Sequence, residues 1–152
     1  MIKRILIFLV LNFGALVLGG FFTGTGVTSD WYFTLNKAPW SPPGWVFGAA
    51  WTSIMLFFSF YMAFLWPRVE DRKSLIMLYS IQWILNVAWN PVFFYFQQIG
   101  LGLVVIILLT ALVGFFLFRF MKSMQIKSIL ILPYFIWLLI ATSLNIYLFW
   151  YN

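Results

Sequence analysis

Three amide side chains recur at four-residue spacing in the third long apolar segment of the chain: Gln82, Asn86 and Asn90. In a helix this spacing places all three on one face. An amide surrounded by hydrocarbon requires a hydrogen-bonding partner. The stripe therefore has two interpretations: the amides hold neighbouring helices together, or they line a cavity with polar edges. For Gln82, which is nearer a charged loop, the structural interpretation is favoured.

Aromatic side chains at helical spacing could form the walls of a site for a flat ligand. The spacing selects Phe47 and Trp51 in the second apolar segment, and Tyr134, Trp137, Ala141, Leu144 and Asn145 in the last. Such a site needs aromatic walls, a gap and a few hydrogen-bond donors. Ordinary helix packing, with Ala141 permitting close approach, would produce the same pattern. Trp51 lies about two turns inside its segment, deeper than an interfacial anchor requires.

The remaining residue types exclude most other chemistry. The sequence has no cysteine and no histidine, which removes disulfides, thiolates and the commonest metal ligands, so no metal site is predicted. Every charged residue falls in a loop or at a segment end. An ion-coupled transporter usually keeps ionisable groups at membrane depth, and acid–base catalysis needs a suitable carboxylate. Recognition by amides and aromatic rings is what remains.

The composition indicates that these residues are positioned by membrane-spanning helices. Of the 152 residues, 64% are hydrophobic and 8% are charged, whereas a soluble domain is about half apolar and a quarter charged. About 20 apolar residues cross a bilayer as a helix. We therefore predict an all-α integral membrane protein, a single domain over residues 1–152 with five transmembrane helices at about 5–24, 43–66, 74–96, 100–120 and 126–150. Pro91 predicts a kink or break near Asn90.

The basic residues predict the orientation of the bundle. With five spans, the following residues share one side: Lys3, Arg4, Arg68, Arg72, Lys73, Arg119, Lys122 and Lys127. Lys37 alone lies on the other. The positive-inside rule then places the N-terminus in the cytoplasm, and the C-terminus and the long first loop outside. The net charge of +6 includes no basic run typical of nucleic-acid binding, so the lipid bilayer is a predicted partner and nucleic acid is not.

Short motifs occur in a characteristic order through most of the chain. They are Trp31-Tyr32; Leu35 with Pro39-Trp40-Ser41-Pro42-Pro43; Phe47 and Trp51; Gln82, Leu85-Asn86 and Trp89-Asn90; and Pro133-Tyr134, Trp137, Ala141-Thr142 and Asn145. The combination of W-x-P-P, a following tryptophan and a later P-Y-x-x-W is specific. In these motifs the chain resembles the TspO/MBR family of tryptophan-rich sensory proteins and translocator proteins.

The resemblance implies a five-helix bundle, usually a homodimer, with a ligand cavity opening toward the first loop. Members are associated with tetrapyrroles such as protoporphyrin IX, with sterols in mitochondria, and with synthetic benzodiazepine-type ligands. Positions matching the family's cavity are Tyr32, Pro42, Trp51, Asn86, Asn90, Trp137, Ala141 and Leu144; to these the helical spacing adds Phe47 and Tyr134. A proposed sterol motif needs a Lys or Arg late in the last helix, and none follows Lys127.

Three functions are compatible with these expectations. The leading one is a receptor or carrier that binds a porphyrin or another hydrophobic small molecule, in tetrapyrrole or stress signalling, with no required cofactor. The first alternative is an enzyme that degrades the porphyrin with light and oxygen, because tryptophans matching Trp51 and Trp137 are implicated in this reaction in some bacterial members. The second is a ligand-responsive regulator of a partner membrane protein. In each case we expect the proline-rich first loop to act as a stiff lid.

Overall fold

Most of the chain is helical in the computed structural model, which describes residues 1–152 and contains no strand. Five long helices and one short helix follow one another: α1 (Ile2–Gly26), α2 (Asp30–Thr34), α3 (Gly44–Leu65), α4 (Arg72–Asn90), α5 (Ile99–Met124) and α6 (Leu132–Tyr151). The all-α class and the number of long helices are confirmed. The short helix α2 was not predicted; the Ser29 hydroxyl caps it by accepting a hydrogen bond of 3.2 Å from the Tyr32 backbone N–H.

Three stretches are long and apolar enough to cross a membrane. They are Ile2–Gly26, Gly44–Arg68 and Ile99–Tyr151, the last of which contains both α5 and α6. Helix α4 is long enough but is less apolar than the other long helices, because it carries the three amides of the stripe. The prediction that all five helices are apolar enough to span on their own is therefore too simple: α4 packs between α1 and α5, which cover part of its surface.

The helix type changes at Pro91, where the sequence predicts a kink or break near Asn90. Helix α4 ends at Asn90, and Pro91–Tyr95 continues as a π-helical segment in which the Phe96 N–H donates to the Pro91 carbonyl at 2.9 Å. Proline has no N–H for the regular helical bond, so the hydrogen-bonding pattern shifts at this point. Gln97 then adopts a positive φ of 55° and reverses the chain into α5.

The other connections are short and end their helices by recognisable means. A 3-10 turn at Trp66–Arg68, which contains Pro67, ends α3. Asp71 caps α4: the hydroxyl and backbone N–H of Ser74 both donate to its carboxylate, at 2.6 and 3.0 Å, and hold its pKa below the usual range. The segment predicted as one helix from 126 begins instead as a 3-10 helix, Gln125–Ile131, which places Pro133 in the first turn of α6.

The lower half of the bundle, defined by the N-terminus and the Trp66–Asp71 connection, contains the best-buried core. The side chains of Phe58, Tyr61 and Met62 are fully excluded from the surface. Beside them, Asn12 donates to the Ser59 hydroxyl at 2.8 Å and accepts from the Tyr79 hydroxyl at 2.7 Å. These three residues, here called the polar clasp, join α1, α3 and α4 below the candidate site.

Candidate functional site

Four aromatic side chains meet between α3 and α6 in the upper half of the bundle. Phe47 packs edge to face on Trp137 with ring centroids 5.3 Å apart, and Trp51 packs in the same way on Tyr134 at 5.9 Å. Their spacing of four residues on α3 and three on α6 turns each pair toward the other helix. We call Phe47, Trp51, Tyr134 and Trp137 the aromatic wall. The structure thus brings together the aromatic residues that the sequence selected.

The indole N–H of Trp137 is the unusual feature of the aromatic wall. Trp137 is 7% exposed, and its Nε1 atom is buried without a hydrogen-bond partner in the protein. A buried donor left unpaired costs about 1–3 kcal/mol. Proteins rarely leave such a group unsatisfied without a functional reason or an ordered water. An acceptor on a bound molecule, such as a carboxylate or carbonyl oxygen, would satisfy this donor.

Gln82 lies below the aromatic wall and supports it. Its Nε2 atom donates a hydrogen bond of 2.8 Å to the Tyr134 hydroxyl, and the Tyr134 ring packs on Phe58 with centroids 5.3 Å apart. This contact is of the kind that the structural interpretation of Gln82 predicts. The Oε1 atom of the same amide is buried and has no partner in the protein, so the site contains one unpaired acceptor as well as one unpaired donor.

Asn86 and Asn90 are used differently, although they lie one turn apart on α4. The Asn90 side chain accepts from the Thr23 hydroxyl of α1 at 2.7 Å and donates to the Asn86 backbone carbonyl at 3.2 Å. Gly19 makes room for it: a Cβ there would lie 2.5 Å from Asn90 Nδ2. The side-chain amide of Asn86 has no such contact within the protein and is 8% exposed. Asn86 is therefore the amide available to a ligand, whereas Asn90 joins two helices.

Further along α6, the predicted residues Ala141 and Leu144 lie next to a pair of hydrogen bonds that connects α4 with α6. Trp89 donates from Nε1 to Asn145 Oδ1 at 3.3 Å, and Asn145 Nδ2 donates to the Ala141 backbone carbonyl at 2.9 Å. Ala141 and Leu144 are each 7% exposed, on the same helix and within one turn of these hydrogen bonds. Both the oxygen and the nitrogen of the Asn145 amide thus have a partner within the protein. The small side chain of Ala141 leaves space on α6 next to Trp137.

The first loop covers the upper end of the bundle. Trp40 donates from Nε1 to the Ser143 hydroxyl at 3.2 Å and packs on Tyr147 with centroids 5.4 Å apart. The Asn36 backbone N–H donates to Asn152 Oδ1 at 2.8 Å, and Asn152 Nδ2 donates to the Asn36 carbonyl at 3.3 Å. The loop is therefore attached both to α6 and to Asn152, the residue directly after it.

Tyr32 and Pro42 belong to this loop and not to the aromatic wall. The Tyr32 ring packs on Phe94 of the π-helical segment, 5.7 Å between centroids, and carries the Lys37 ammonium 4.2 Å above it. Burial raises the pKa of the Tyr32 phenol above its ordinary value. Pro42 is half-buried just before α3. These two predicted positions therefore lie in the lid region, and the ring of Tyr32 packs on the π-helical segment.

Several residues that shape the site were not predicted from the sequence. Asn12 of the polar clasp is the only amide in the first apolar segment, so the argument made for Asn86 applied to it equally. Thr23, which holds Asn90, and Asn152, which holds the loop, had no recognisable signal. A threonine in an apolar helix usually hydrogen-bonds its own backbone. The single hydroxyl hydrogen of Thr23 lies within reach of both the Gly19 carbonyl, at 3.1 Å, and Asn90 Oδ1, at 2.7 Å.

Comparisons with known proteins agree with the order of motifs along the chain. A sequence model of the TspO/MBR family matches residues 6–151. A tryptophan-rich sensory protein of Cereibacter sphaeroides is 34% identical over 116 residues, which cover 76% of this chain and 73% of that protein. The tryptophan-rich protein TspO of Chlorobaculum tepidum is 32% identical, covering 81% and 80% of the two chains. The human translocator protein is 30% identical, covering 88% and 80%.

Proposed function

The chain belongs to the TspO/MBR family, and from this premise we propose that it is a membrane receptor or carrier for porphyrin-type tetrapyrroles. In this proposal the five long helices span the bilayer, with the N-terminus in the cytoplasm and the first loop outside. The ligand lies against the aromatic wall, below the loop. Names of relatives such as "sensory protein" and "translocator protein" are compatible with either a signalling or a carrier role.

The observation that carries the proposal is the unpaired indole N–H of Trp137 among aromatic rings. Flat aromatic surfaces favour a flat aromatic ligand by offset or edge-to-face stacking. The buried donor favours a ligand that carries an acceptor, because binding then removes the cost of the unpaired group. A metal-free porphyrin has both features: a large planar ring, and carboxylate groups at its edge. The Asn86 amide, which is not used by the protein, offers a second polar contact.

Titration of the purified protein with protoporphyrin IX tests this binding. We expect tryptophan fluorescence to be quenched and the porphyrin absorbance band to shift. Replacing both Trp51 and Trp137 by Phe should weaken binding. The matched control replaces Trp45 and Trp150, each 75% exposed, and removes the same number of indoles without touching the aromatic wall. Equal affinities for the two double variants, or no saturable binding at all, would contradict the proposal.

A second candidate function is light-dependent oxidation of the bound porphyrin. It is favoured by the contact between two oxidisable side chains, Trp51 and Tyr134, whose ring centroids are 5.9 Å apart at the proposed ligand position. The excited porphyrin and dissolved dioxygen would supply the oxidising chemistry, with dioxygen as the electron acceptor. The protein would supply the confined position and the indole of Trp51.

Illumination of the complex in air separates binding from catalysis. If the second candidate is right, a new absorbing product should form from the bound porphyrin, and the Trp51→Phe variant should bind porphyrin without forming it. The Trp45→Phe variant serves as the control and should form the product normally. If the porphyrin bleaches at the same rate as free porphyrin, with the same spectrum in the wild type and both variants, the enzymatic function is rejected. The receptor function is not affected by that result.

A further inference from the structure

A groove of about 420 Å³ follows the seam between α5 and α6 on the outer surface of the bundle. Ala111, Gly114 and Phe118 line it from α5, and Phe135 and Thr142 line it from α6. The site described above lies on the inner faces of α3, α4 and α6, so the groove is a separate feature. In a membrane this surface faces the lipid.

The groove exists because two small residues interrupt a row of large ones. A Cβ atom at Gly114 would lie 3.0 Å from Phe135 Cε2, so only glycine allows this ring to approach α5 so closely. One to two turns away, the hydroxyls of Thr110 and Thr142 lie 2.9 Å apart and hydrogen-bond across the seam, and Thr110 also donates to the Ile106 carbonyl at 2.7 Å. These contacts hold α5 and α6 together along the groove, and both threonine hydroxyls already have partners within the protein. The remaining surface of the groove is apolar and suits hydrocarbon.

Two cations continue the groove at its lower end. Lys122 follows Phe118, and Arg119 follows Phe115, each at a spacing of four residues, so both lie on the same helix surface as the groove-lining phenylalanines. Both side chains are exposed. The nearest ring to the Arg119 guanidinium is that of Phe120, at 6.0 Å from its centroid.

Neither Arg119 nor Lys122 donates a hydrogen bond within the protein, whereas several other basic residues have a close internal partner. Arg68 donates to the Phe64 carbonyl, Arg72 donates to the Val69 carbonyl at 3.0 Å, and the Lys127 ammonium lies 4.5 Å above the Phe64 ring. The chain has only three acidic residues, Asp30, Glu70 and Asp71, and the Asp71 carboxylate is used by Ser74. Neither Asp30 nor Glu70 forms an ion pair with Arg119 or Lys122, so an anion from outside the chain can serve as their counter-ion.

We propose that the groove and these two cations form a binding site for an anionic phospholipid. One acyl chain lies along the groove over the Phe118 and Phe135 rings, which pack edge to face with centroids 6.0 Å apart. The phosphate of the head group contacts Arg119 and Lys122. The hydrocarbon groove selects a lipid, and the adjacent positive charge selects a negatively charged head group over a zwitterionic one. The inference requires the chain to be in a membrane, but it does not depend on what binds at the aromatic wall.

Native mass spectrometry of the purified protein tests the site with two lipids that share the same acyl chains, phosphatidylglycerol and phosphatidylcholine. The wild-type protein should bind phosphatidylglycerol more tightly. Replacing both Arg119 and Lys122 by Gln should reduce this preference by about fivefold for each charge removed. The matched control replaces Lys3 and Arg4 by Gln, which removes two charges from the same side of the membrane, and should leave the preference unchanged.

A groove-filling variant tests the hydrocarbon half of the site. Ala111→Leu should weaken the binding of both lipids and leave the preference for phosphatidylglycerol over phosphatidylcholine unchanged. If the Arg119/Lys122 and Lys3/Arg4 variants lose the same amount of lipid preference, the proposal is overturned, because the preference then comes from the overall surface charge. If Ala111→Leu instead abolishes a dimer without affecting lipid binding, the groove is an interface with a second copy of the chain. Protoporphyrin IX quenching, measured in the same samples, should not change, so this proposal and the porphyrin proposal can fail separately.

Discussion

The polar clasp and the aromatic wall share helix α3, where Ser59 and Trp51 are about two turns apart. In the polar clasp the side chains are at most 8% exposed, and their polar groups are joined by hydrogen bonds of 2.7 and 2.8 Å. In the aromatic wall the Trp137 N–H has no partner, and neither has the Gln82 Oε1 atom just below it. Two neighbouring levels of one bundle therefore differ in whether their buried polar atoms are satisfied.

This difference indicates a division of labour between stability and binding. A hydrogen bond made within the protein stabilises the fold but leaves nothing for a ligand to gain. An unpaired buried donor destabilises the empty protein, and that cost is recovered when a ligand supplies the missing acceptor. Substitutions in the two regions should consequently affect different measurements, and four comparisons test this.

The largest effect on stability is expected in the polar clasp. Asn12→Leu leaves the buried Tyr79 hydroxyl without its acceptor and removes the donor to Ser59, so the free energy of unfolding should fall by about 2 kcal/mol. Detergent unfolding measures this loss. Protoporphyrin IX affinity of the folded protein should stay within about twofold. The double variant with Tyr79→Phe should regain part of the loss, because both partners are then apolar.

The reverse pattern is expected for Trp137→Phe. The substitution removes an unpaired donor, so the ligand-free protein should keep its unfolding free energy within about 1 kcal/mol. Affinity for protoporphyrin IX should fall about tenfold, since a hydrogen bond to a charged acceptor contributes about 1.5–3 kcal/mol. The dimethyl ester of the porphyrin lacks the carboxylate charge, so wild type and variant should differ less with it. A loss of stability with unchanged porphyrin affinity would show that Trp137 stabilises the fold, as the residues of the polar clasp do, and does not bind the ligand.

Asn90 could belong either to the residues that stabilise the fold or to those that bind a ligand, and the Gly19→Ala variant distinguishes the two roles. The new Cβ displaces the Asn90 amide from its contact with Thr23 and should cost about 1 kcal/mol of stability, at the low end for overpacking because an amide can rotate. Gly20→Ala is the control, because no atom lies within 4 Å of its Cβ position. If ligand affinity falls more than stability in Gly19→Ala, Asn90 acts in binding rather than in joining helices.

The smallest effect is expected at Trp40, within the loop. Trp40→Phe removes an exposed hydrogen bond to Ser143 and should cost about 0.5 kcal/mol, while the rates of ligand entry and release increase. Stopped-flow fluorescence measures those rates. Trp51→Phe should leave the rates unchanged and alter the fate of the illuminated ligand. Equal behaviour of the two variants would reject the distinction between lid and wall.

The sequence predicted those features that depend on one helix at a time. Spacing on a single helix identified the rings of the aromatic wall, and the missing N–H of Pro91 marked the end of α4. It did not predict which amides are satisfied, because that depends on residues of other helices such as Thr23 and Tyr134. Asn86 and Asn90 look alike in the sequence, and only the packing of α1 against α4 separates their roles. The position of Tyr32 could not be predicted either, since helix α2 rotates it toward Phe94.

The attachment of the first loop to α6 has a consequence for biosynthesis. The loop is made early, whereas its partners lie more than 100 positions later: Ser143 and Tyr147 on the last helix, and Asn152 directly after it. At a ribosomal rate of about 5–20 residues per second, roughly 5–20 seconds pass between the two. During that interval α3, α4 and α5 are synthesised one after another, and the loop does not yet have its partners. The cover over the aromatic wall is therefore completed only when translation of α6 ends.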